Sequence, residues 1–281
     1  MDSPGLEPDW LAGCRRIVGE LRTMFEAHPT TRDRAVELGR GAGGDLTLVI
    51  DDGAEEIIFA ELERLHGGGH DFTVISEERG EVAFGGGEIR VVVDPIDGSL
   101  NAKRGLSPYT VSIAVADGPS MADISFGFVY DFGADEEWTA RRGRGALLNG
   151  RALGVGEGER RSANGLLELI AVELARPDRL ASCGPALDAV AHRLRMSGSI
   201  AFALCQLAGG RVDGMLTLQE CRSVDAAAAQ LIVRESGGHV AFTATGNPLG
   251  ALLALSARSP LIAARTPAAL AQLRSVPSSR G

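Results

Sequence analysis

Between Pro8 and Leu38, apolar residues recur at helical spacing (Leu11, Ile17, Val18, Leu21, Met24, Phe25), which predicts one or two helices with a buried stripe. GRGAGG, residues 39–44, ends that pattern. It has the letters of a dinucleotide-binding loop, but it follows a helix and precedes the strand-like DLTLVI, the reverse of what that loop requires, so it reads as a flexible connector. Asp51 and Asp52 precede AEEIIFAELERL, with Glu55 and Glu56 in its first turn, which predicts a capped helix with acid at its positive end. FTVISE (72–77) and IRVVVD (89–94) are short apolar runs expected as buried strands separated by a Gly-rich loop. TVSIAVAD, DISFGFVYDF and EEWTARRG follow with turn residues between them, as in an antiparallel meander.

From about residue 160 the style changes. LLELIAVELA, a helix around 199–209, VDGMLTL, a helix after Ser223 and HVAFTA alternate strand and helix. An α/β protein of two lobes follows, residues 1–152 and 153–281, with a sheet in each. The tail SVPSSRG is expected to be unstructured, and no internal repeat is visible.

The chain has 281 residues, enough to bury a large core. Its 28 Lys and Arg against 37 Asp and Glu give a net charge of −9, which argues against coating nucleic acid. The acidic start MDSPGLEPDW lacks the features of a secretory signal, and no apolar run approaches the roughly 20 residues of a membrane span. Four scattered cysteines without a CxxC pair form neither a disulfide framework nor a zinc ribbon. The expectation is a cytoplasmic protein with no nucleic-acid or membrane partner. Histidines 28, 66, 70, 192 and 239 show no ligand spacing. Lys103 is the only lysine.

DPIDGSLN at 94–101 carries the candidate chemistry. A buried strand runs into Asp94; Pro95 fixes its own φ and holds Asp94 extended, so a turn is expected there. Asp94 and Asp97 can then converge on one point, and Gly98 lets the backbone approach an ion or anion. Two carboxylates and a backbone carbonyl make the hard-oxygen set that Mg²⁺ prefers. SEE at 76–78 also ends an apolar strand, so neighbouring strands would deliver Glu77 and Asp94 to one sheet edge. Asp225 opens the Ala-rich segment SVDAAAA.

SEE, DPIDGSLN and SVDAAAA, in this order, resemble the motifs of the inositol monophosphatase superfamily of Mg²⁺-dependent, lithium-sensitive phosphomonoesterases. GDLTLVIDD (44–52), GRGALLNG (143–150) and SGSIAFALC (197–205) are similar to further segments of that family, so the resemblance covers nearly the whole chain. It implies a layered αβαβα sandwich, two or three Mg²⁺ per site and a homodimer. By position it implies Glu77, Asp94 and the Ile96 carbonyl at one metal and Asp94, Asp97 and Asp225 at a second. Asp51 and Ser99 would orient and deprotonate the attacking water, with Asp51 also near a third, weaker ion. The amides of Gly98 and Ser99 would hold the phosphate, and Ser199 would lie among the substrate contacts. The four carboxylates Glu77, Asp94, Asp97 and Asp225 sum to −4, matched by two Mg²⁺, and without metal they would repel and take up protons.

Some residues depart from the pattern. Ser99 replaces a common Thr and keeps the hydroxyl; Ser76 replaces Gly; Val224 and Arg222 stand where animal-type members have Trp and His. QECRSVDAAAA and NAKRG are closer to archaeal-type members that act on both inositol phosphate and fructose 1,6-bisphosphate. Arg222 could grip a second anion as a fork, with Lys103 beside the catalytic turn; the alternatives are an ion pair for Arg222 and a solvated loop for Lys103. The implied function is hydrolysis of inositol phosphate or a small sugar (bis)phosphate by metal-activated water. A phosphoadenosine phosphate or histidinol phosphate phosphatase stays open, as does a non-catalytic scaffold for a protein partner.

Overall fold

Asp9 starts the first helix, its carboxylate accepting the Ala12 amide at 3.0 Å, and α1 (Trp10–Ala27) buries Trp10, Cys14, Ile17, Leu21 and Phe25 along one stripe. The computed structural model describes residues 8–40, 42, 46–154 and 158–278. After the short α2 (Thr31–Arg34) come β1 (Glu37–Arg40) and β2 (Leu46–Leu48), an antiparallel pair. The connector expected at 39–44 thus begins as strand; its residues 41, 43 and 44 lie outside the described residues. Helix α3 (Val49–Gly67) starts ahead of Asp51 instead of after it, and the Asp51 carboxylate reaches back to the Leu48 amide at 3.0 Å. The strand expected through Ile50 ends at Leu48 because this first turn takes over.

Eight strands form the larger sheet: β3 (Phe72–Ser76), β4 (Gly80–Phe84), β5 (Arg90–Asp97), β6 (Thr110–Ala116), β7 (Ile124–Asp131), β8 (Glu136–Arg141), β9 (Gly145–Leu148) and β10 (Arg151–Ala152), in the order β10-β9-β8-β7-β6-β5-β3-β4. The meander β6-β7-β8 is as expected, and β9 extends it beyond the segments that suggested it. Strand β4 lies where only a loop was expected; it is an edge strand paired to β3, half-exposed and interrupted by no long apolar run. Between β5 and β6 the chain forms α4 (Ser99–Arg104). The smaller sheet draws on β11 (Ile170–Glu173), β12 (Leu194–Arg195), β13 (Gly214–Thr217), β15 (His239–Phe242) and β17 (Leu261–Ala264), in the order β12-β11-β13-β17-β15. A small pair, β14 (Cys221–Arg222) with β16 (Arg258–Ser259), closes off the region before Asp225. Four further helices are α5 (Pro177–Asp188), α6 (Ile200–Ala208), α7 (Ser223–Glu235) and α8 (Pro267–Leu273).

The period-2 alternation of side chains sorts these elements into five layers. Val91, Val93, Ile113, Val115, Phe126 and Phe128 join the core of α1 and α3, while Val92, Ala114, Val129 and Trp138 face the other way, onto α6 and α7. Beneath those helices Ala171, Met215, Phe242 and Ala263 complete the central core; Ile170, Val172, Leu216 and Ile262 turn outward to α5 and α8. The order is helix, sheet, helix, sheet, helix, the αβαβα sandwich. Helices α5 and α8 escaped the sequence reading because each buries few side chains, Cys183 and Leu187 in one and Ala269 and Leu273 in the other. No helix among the described residues is long and apolar enough to cross a membrane.

The Ala-rich face of α7 lets the helix press onto the large sheet. A Cβ on Gly127 in β7 would stand 2.6 Å from the Ala228 carbonyl oxygen, so backbone would have to move. Gly127→Ala is expected to destabilise the protein by about 1–3 kcal/mol, lowering the thermal midpoint by roughly 3–10 °C in a melting experiment.

Candidate active site

Strands β3 and β5 are parallel neighbours with Ser76 opposite Val93, so Glu77 and Asp94 emerge side by side at their C-terminal ends. Asp94 faces Ser112 of β6 but Asp97 faces Thr110, three steps against two. The strand therefore does not stop at Asp94, as expected, but bulges through Pro95 and Ile96; a bulge admits a proline and re-aims its neighbours. Asp225 arrives from the layer below, in the first turn of α7. Oxygens of Glu77, Asp94 and Asp225 lie within 4.8 Å of one another.

Asp97 is drawn elsewhere by one of its oxygens, which accepts the Ser199 hydroxyl and the Ala201 amide, both at 2.6 Å, at the start of α6. Both central helices thus begin at the carboxylates, with their positive ends toward the acids. Burial pushes the Asp97 carboxyl up to about 7, despite the Ser199 bond, and the Asp225 charge adds to the rise. Burial also raises Asp94, which is 2 % exposed, and the Glu77, Asp97 and Asp225 charges push it further. Asp225 is raised by burial against the pull of Arg222. One oxygen of Asp94, Oδ1, is buried with no hydrogen-bond partner among the described residues. A buried Asp94 oxygen without a partner among the described residues, crowded by the charges of Glu77, Asp97 and Asp225, suits a hard cation, so the residues present fit Mg²⁺.

These groups line one end of a cavity of about 740 Å³, together with Asp51, Glu78, Ile96, Gly98, Ser99, Ser199 and Arg222. Burial raises the Asp51 carboxyl to about 6, against the Leu48 amide that binds it, and its Oδ1 has no partner among the described residues. The Ser99 hydroxyl donates to the Ile96 carbonyl at 2.8 Å. Gly98 has φ 93°, a left-handed conformation, and a Cβ there would approach the carbonyl oxygens of Pro108 and Gly198 at 3.2 and 3.3 Å, so the tight turn needs glycine.

The other sequence candidates are placed differently. Lys103 is not in the cavity wall; its ammonium lies 3.9 Å from the Glu37 carboxylate of β1, drawn to the acid across from α4. Ser199 lines the cavity, but its hydroxyl caps α6 by accepting the Phe202 amide and donates to Asp97. Arg222 also lines it, and its guanidinium pairs with Glu77 at 2.5 Å and Asp225 at 3.4 Å. Ser76 holds more than a glycine could: its hydroxyl donates to the buried carboxylate of Glu55, which also accepts the Arg79 amide at 3.1 Å and so braces the turn carrying Glu77.

Glu173 went unrecognised in the sequence. It is 3 % exposed at the end of β11 and accepts the Ser197 amide at 2.9 Å, the Ser197 hydroxyl at 2.5 Å and the Gly198 amide at 2.9 Å. It thereby fixes the loop that places Ser199 on Asp97. An acid closing an apolar strand was the available signal, the same one that pointed to Glu77. Leu100, Leu174 and Met196, all substantially exposed, edge the cavity as well.

The model of the Inositol monophosphatase family matches residues 14–277. The chain belongs to that family. Similar members include the fructose-1,6-bisphosphatase/inositol-1-monophosphatase of Methanothermobacter thermautotrophicus, 34 % identical over 267 residues and covering 91 % of each chain. The Nus factor SuhB of Escherichia coli is 32 % identical over 213 residues, 73 % of this chain and 75 % of that protein. Among solved structures, the extragenic suppressor protein SuhB of Bartonella henselae superposes with a TM-score of 0.77 at 27 % identity, over 96 % of this chain and 98 % of that one. The family thus contains the five-layer fold described above.

Proposed function

We propose that this member of the inositol monophosphatase family hydrolyses the phosphomonoester of inositol or of a small sugar, bisphosphates included, in a Mg²⁺-dependent reaction. As a family member the chain is a phosphatase. The observation that carries the finer reading is the convergence of Glu77, Asp94 and Asp225 within 4.8 Å at the end of a cavity large enough for a sugar phosphate. Glu77, Asp94 and Asp225 would hold the ion, joined by the Ile96 carbonyl and by the second oxygen of Asp97 for a further one. Bound there, Mg²⁺ supplies positive charge that neutralises the phosphoryl group and acidifies water.

The chain's own residues then have separate tasks. Asp51, raised to about 6 and with one oxygen unpartnered among the described residues, accepts a proton from the attacking water, beside Ser99. The amides of Gly98 and Ser99, at the start of α4, orient the phosphate. Glu173 and Ser199 keep Asp97 in place. Residues 1–152 form the lobe with most carboxylates, and residues 153–281 contribute Asp225 and the far cavity wall. The four buried thiols, Cys14, Cys183, Cys205 and Cys221, suit the reducing cytoplasm, where we expect the protein to act as a homodimer.

The test is phosphate release with Mg²⁺ from inositol 1-phosphate, fructose 1,6-bisphosphate, phosphoadenosine phosphate and histidinol phosphate, each with and without EDTA. EDTA-sensitive turnover of the first two is expected. Preference for either of the last two assigns the site to that ester instead. A partner-binding role is the second reading, favoured by similarity to a protein named a Nus factor; the complete carboxylate set weighs toward catalysis, and silence on all four esters without Mg²⁺ binding would reverse that weighing.

A further inference from the structure

Arg222 is a cation that the carboxylate cluster already contains. Its side chain is 13 % exposed, set between Glu77 at 14 % and Asp225 at 12 %. Nη2 lies 2.5 Å from Glu77 Oε1, and Nε donates to Asp225 Oδ1 at 3.4 Å. The backbone amide of the same residue donates to Asp225 Oδ2 at 3.0 Å. One arginine therefore engages both oxygens of Asp225 and one of Glu77, two of the three carboxylates that converge. The third, Asp94, keeps Oδ1 without a partner among the described residues.

These contacts differ in how readily they can be given up. The amide contact is built into the first turn of α7, where Asp225 caps the helix from its third position. The guanidinium contacts depend only on side-chain rotamers, and Arg222 lines the open cavity into which it can turn. A divalent ion drawing on Glu77 and Asp225 competes for the same oxygens and repels the guanidinium.

We propose that Arg222 is the displaceable counter-cation of this site: its guanidinium bridges Glu77 and Asp225 when no divalent ion is held, and turns into the cavity when one is. Cation entry and the delivery of a positively charged fork to the substrate pocket are then one event. The fork suits a second anionic group of the substrate, and linkage requires that such an anion and the divalent ion strengthen each other's binding. The inference rests on the reading of the cluster as a Mg²⁺ site.

Calorimetric titration of Mg²⁺ into EDTA-stripped wild type, Arg222→Gln and Arg222→Lys at pH 8 tests it without reference to turnover. Arg222→Gln is expected to bind Mg²⁺ about ten-fold more tightly, corresponding to about 1.4 kcal/mol of ion pairing that no longer has to be broken. Arg222→Lys keeps the charge but cannot span both carboxylates, so it should fall between the two and preserves the test if the Gln variant folds poorly. Thermal melts should show the Gln variant below wild type when stripped and level with it at saturating Mg²⁺. Unchanged or weaker Mg²⁺ binding by both variants would overturn the proposal while sparing the metal site, because the guanidinium would then be orienting its ligands. Absence of Mg²⁺ binding to wild type and variants alike would overturn the metal-site reading and this inference with it.

Discussion

Asp94→Asn is expected to lower phosphate release by about a thousand-fold or more, the equivalent of roughly 4 kcal/mol of transition-state stabilisation, while leaving the fold intact. Asp94 is the most enclosed of the converging acids, and its Oδ1 has no protein partner among the described residues. The amide is nearly isosteric but offers no negative charge to a cation. The same change should leave the metal-free protein as stable as wild type or more so, because a carboxylate crowded by Glu77, Asp97 and Asp225 disappears. Stability and activity are thus predicted to move apart, which a merely structural role for Asp94 would not produce.

The pH dependence of the stripped protein provides a check on that argument. Asp51 and Asp97 are raised from 3.8 to about 6 and about 7, so the folded protein holds protons that the unfolded chain has released. Their contribution to stability is complete below the unfolded value near 4 and is lost as pH rises through 6 and 7. Stripped wild type should therefore melt lower at pH 8 than at pH 5, and Mg²⁺ should restore the difference. In Asp94→Asn the pH slope should flatten and the Mg²⁺ response should largely vanish. A variant that keeps turnover and its Mg²⁺ response would remove Asp94 from the metal set.

The carboxylate geometry was legible because it follows from strand order. Two apolar runs, 72–76 and 90–93, each end in an acid, and side-by-side parallel pairing brings those acids together whatever the rest of the chain does. The bulge at Pro95 and Ile96 was half-visible: proline announced an interruption, but whether the strand ends or steps past it depends on β6, 13 or more residues downstream. Asp225 was assigned through resemblance, since a helix-initial acid has a local task of its own, and here it performs that task as well by accepting the Arg222 amide.

What remained hidden depends on side-chain direction across elements distant in sequence. Lys103 follows the catalytic turn closely, yet it faces Glu37, 66 residues earlier, and not the cavity. Ser199, expected among the substrate contacts, lines the cavity, and its hydroxyl donates to Asp97, 102 residues away. Arg222, a candidate for a substrate anion or for an ion pair, lines the cavity and holds Asp225 and Glu77, the latter 145 residues away. In each case the nearest unbalanced charge or unpaired acceptor decides the direction, and no local pattern records where that partner is. Glu173 shows the converse: its signal was local and present, but an acid at a strand end gains meaning only once the loop it binds is seen.

Asp51→Asn is expected to reduce kcat by about 100- to 1000-fold, the range of a lost general base, with KM changed far less. Asp51 differs from the converging acids in that its oxygens are not among the three that lie together. Oδ2 accepts the Leu48 amide at 3.0 Å, while Oδ1 is buried without a partner among the described residues. Asparagine can keep the first contact through its carbonyl oxygen, so the first turn of α3 should survive, but it cannot take up a proton. Neighbouring Ser99 donates its hydroxyl proton to the Ile96 carbonyl at 2.8 Å, which leaves a lone pair to accept a hydrogen bond from the water and aim its other proton at Asp51. Ser99→Ala should then cost less than Asp51→Asn, and the two together little more than Asp51→Asn alone, since both act on the same water. Mg²⁺ affinity measured by calorimetry separates the roles: Asp51→Asn should retain it within a few-fold, where Asp94→Asn should not. A loss of Mg²⁺ binding equal to that of Asp94→Asn would make Asp51 a metal ligand instead of the proton acceptor.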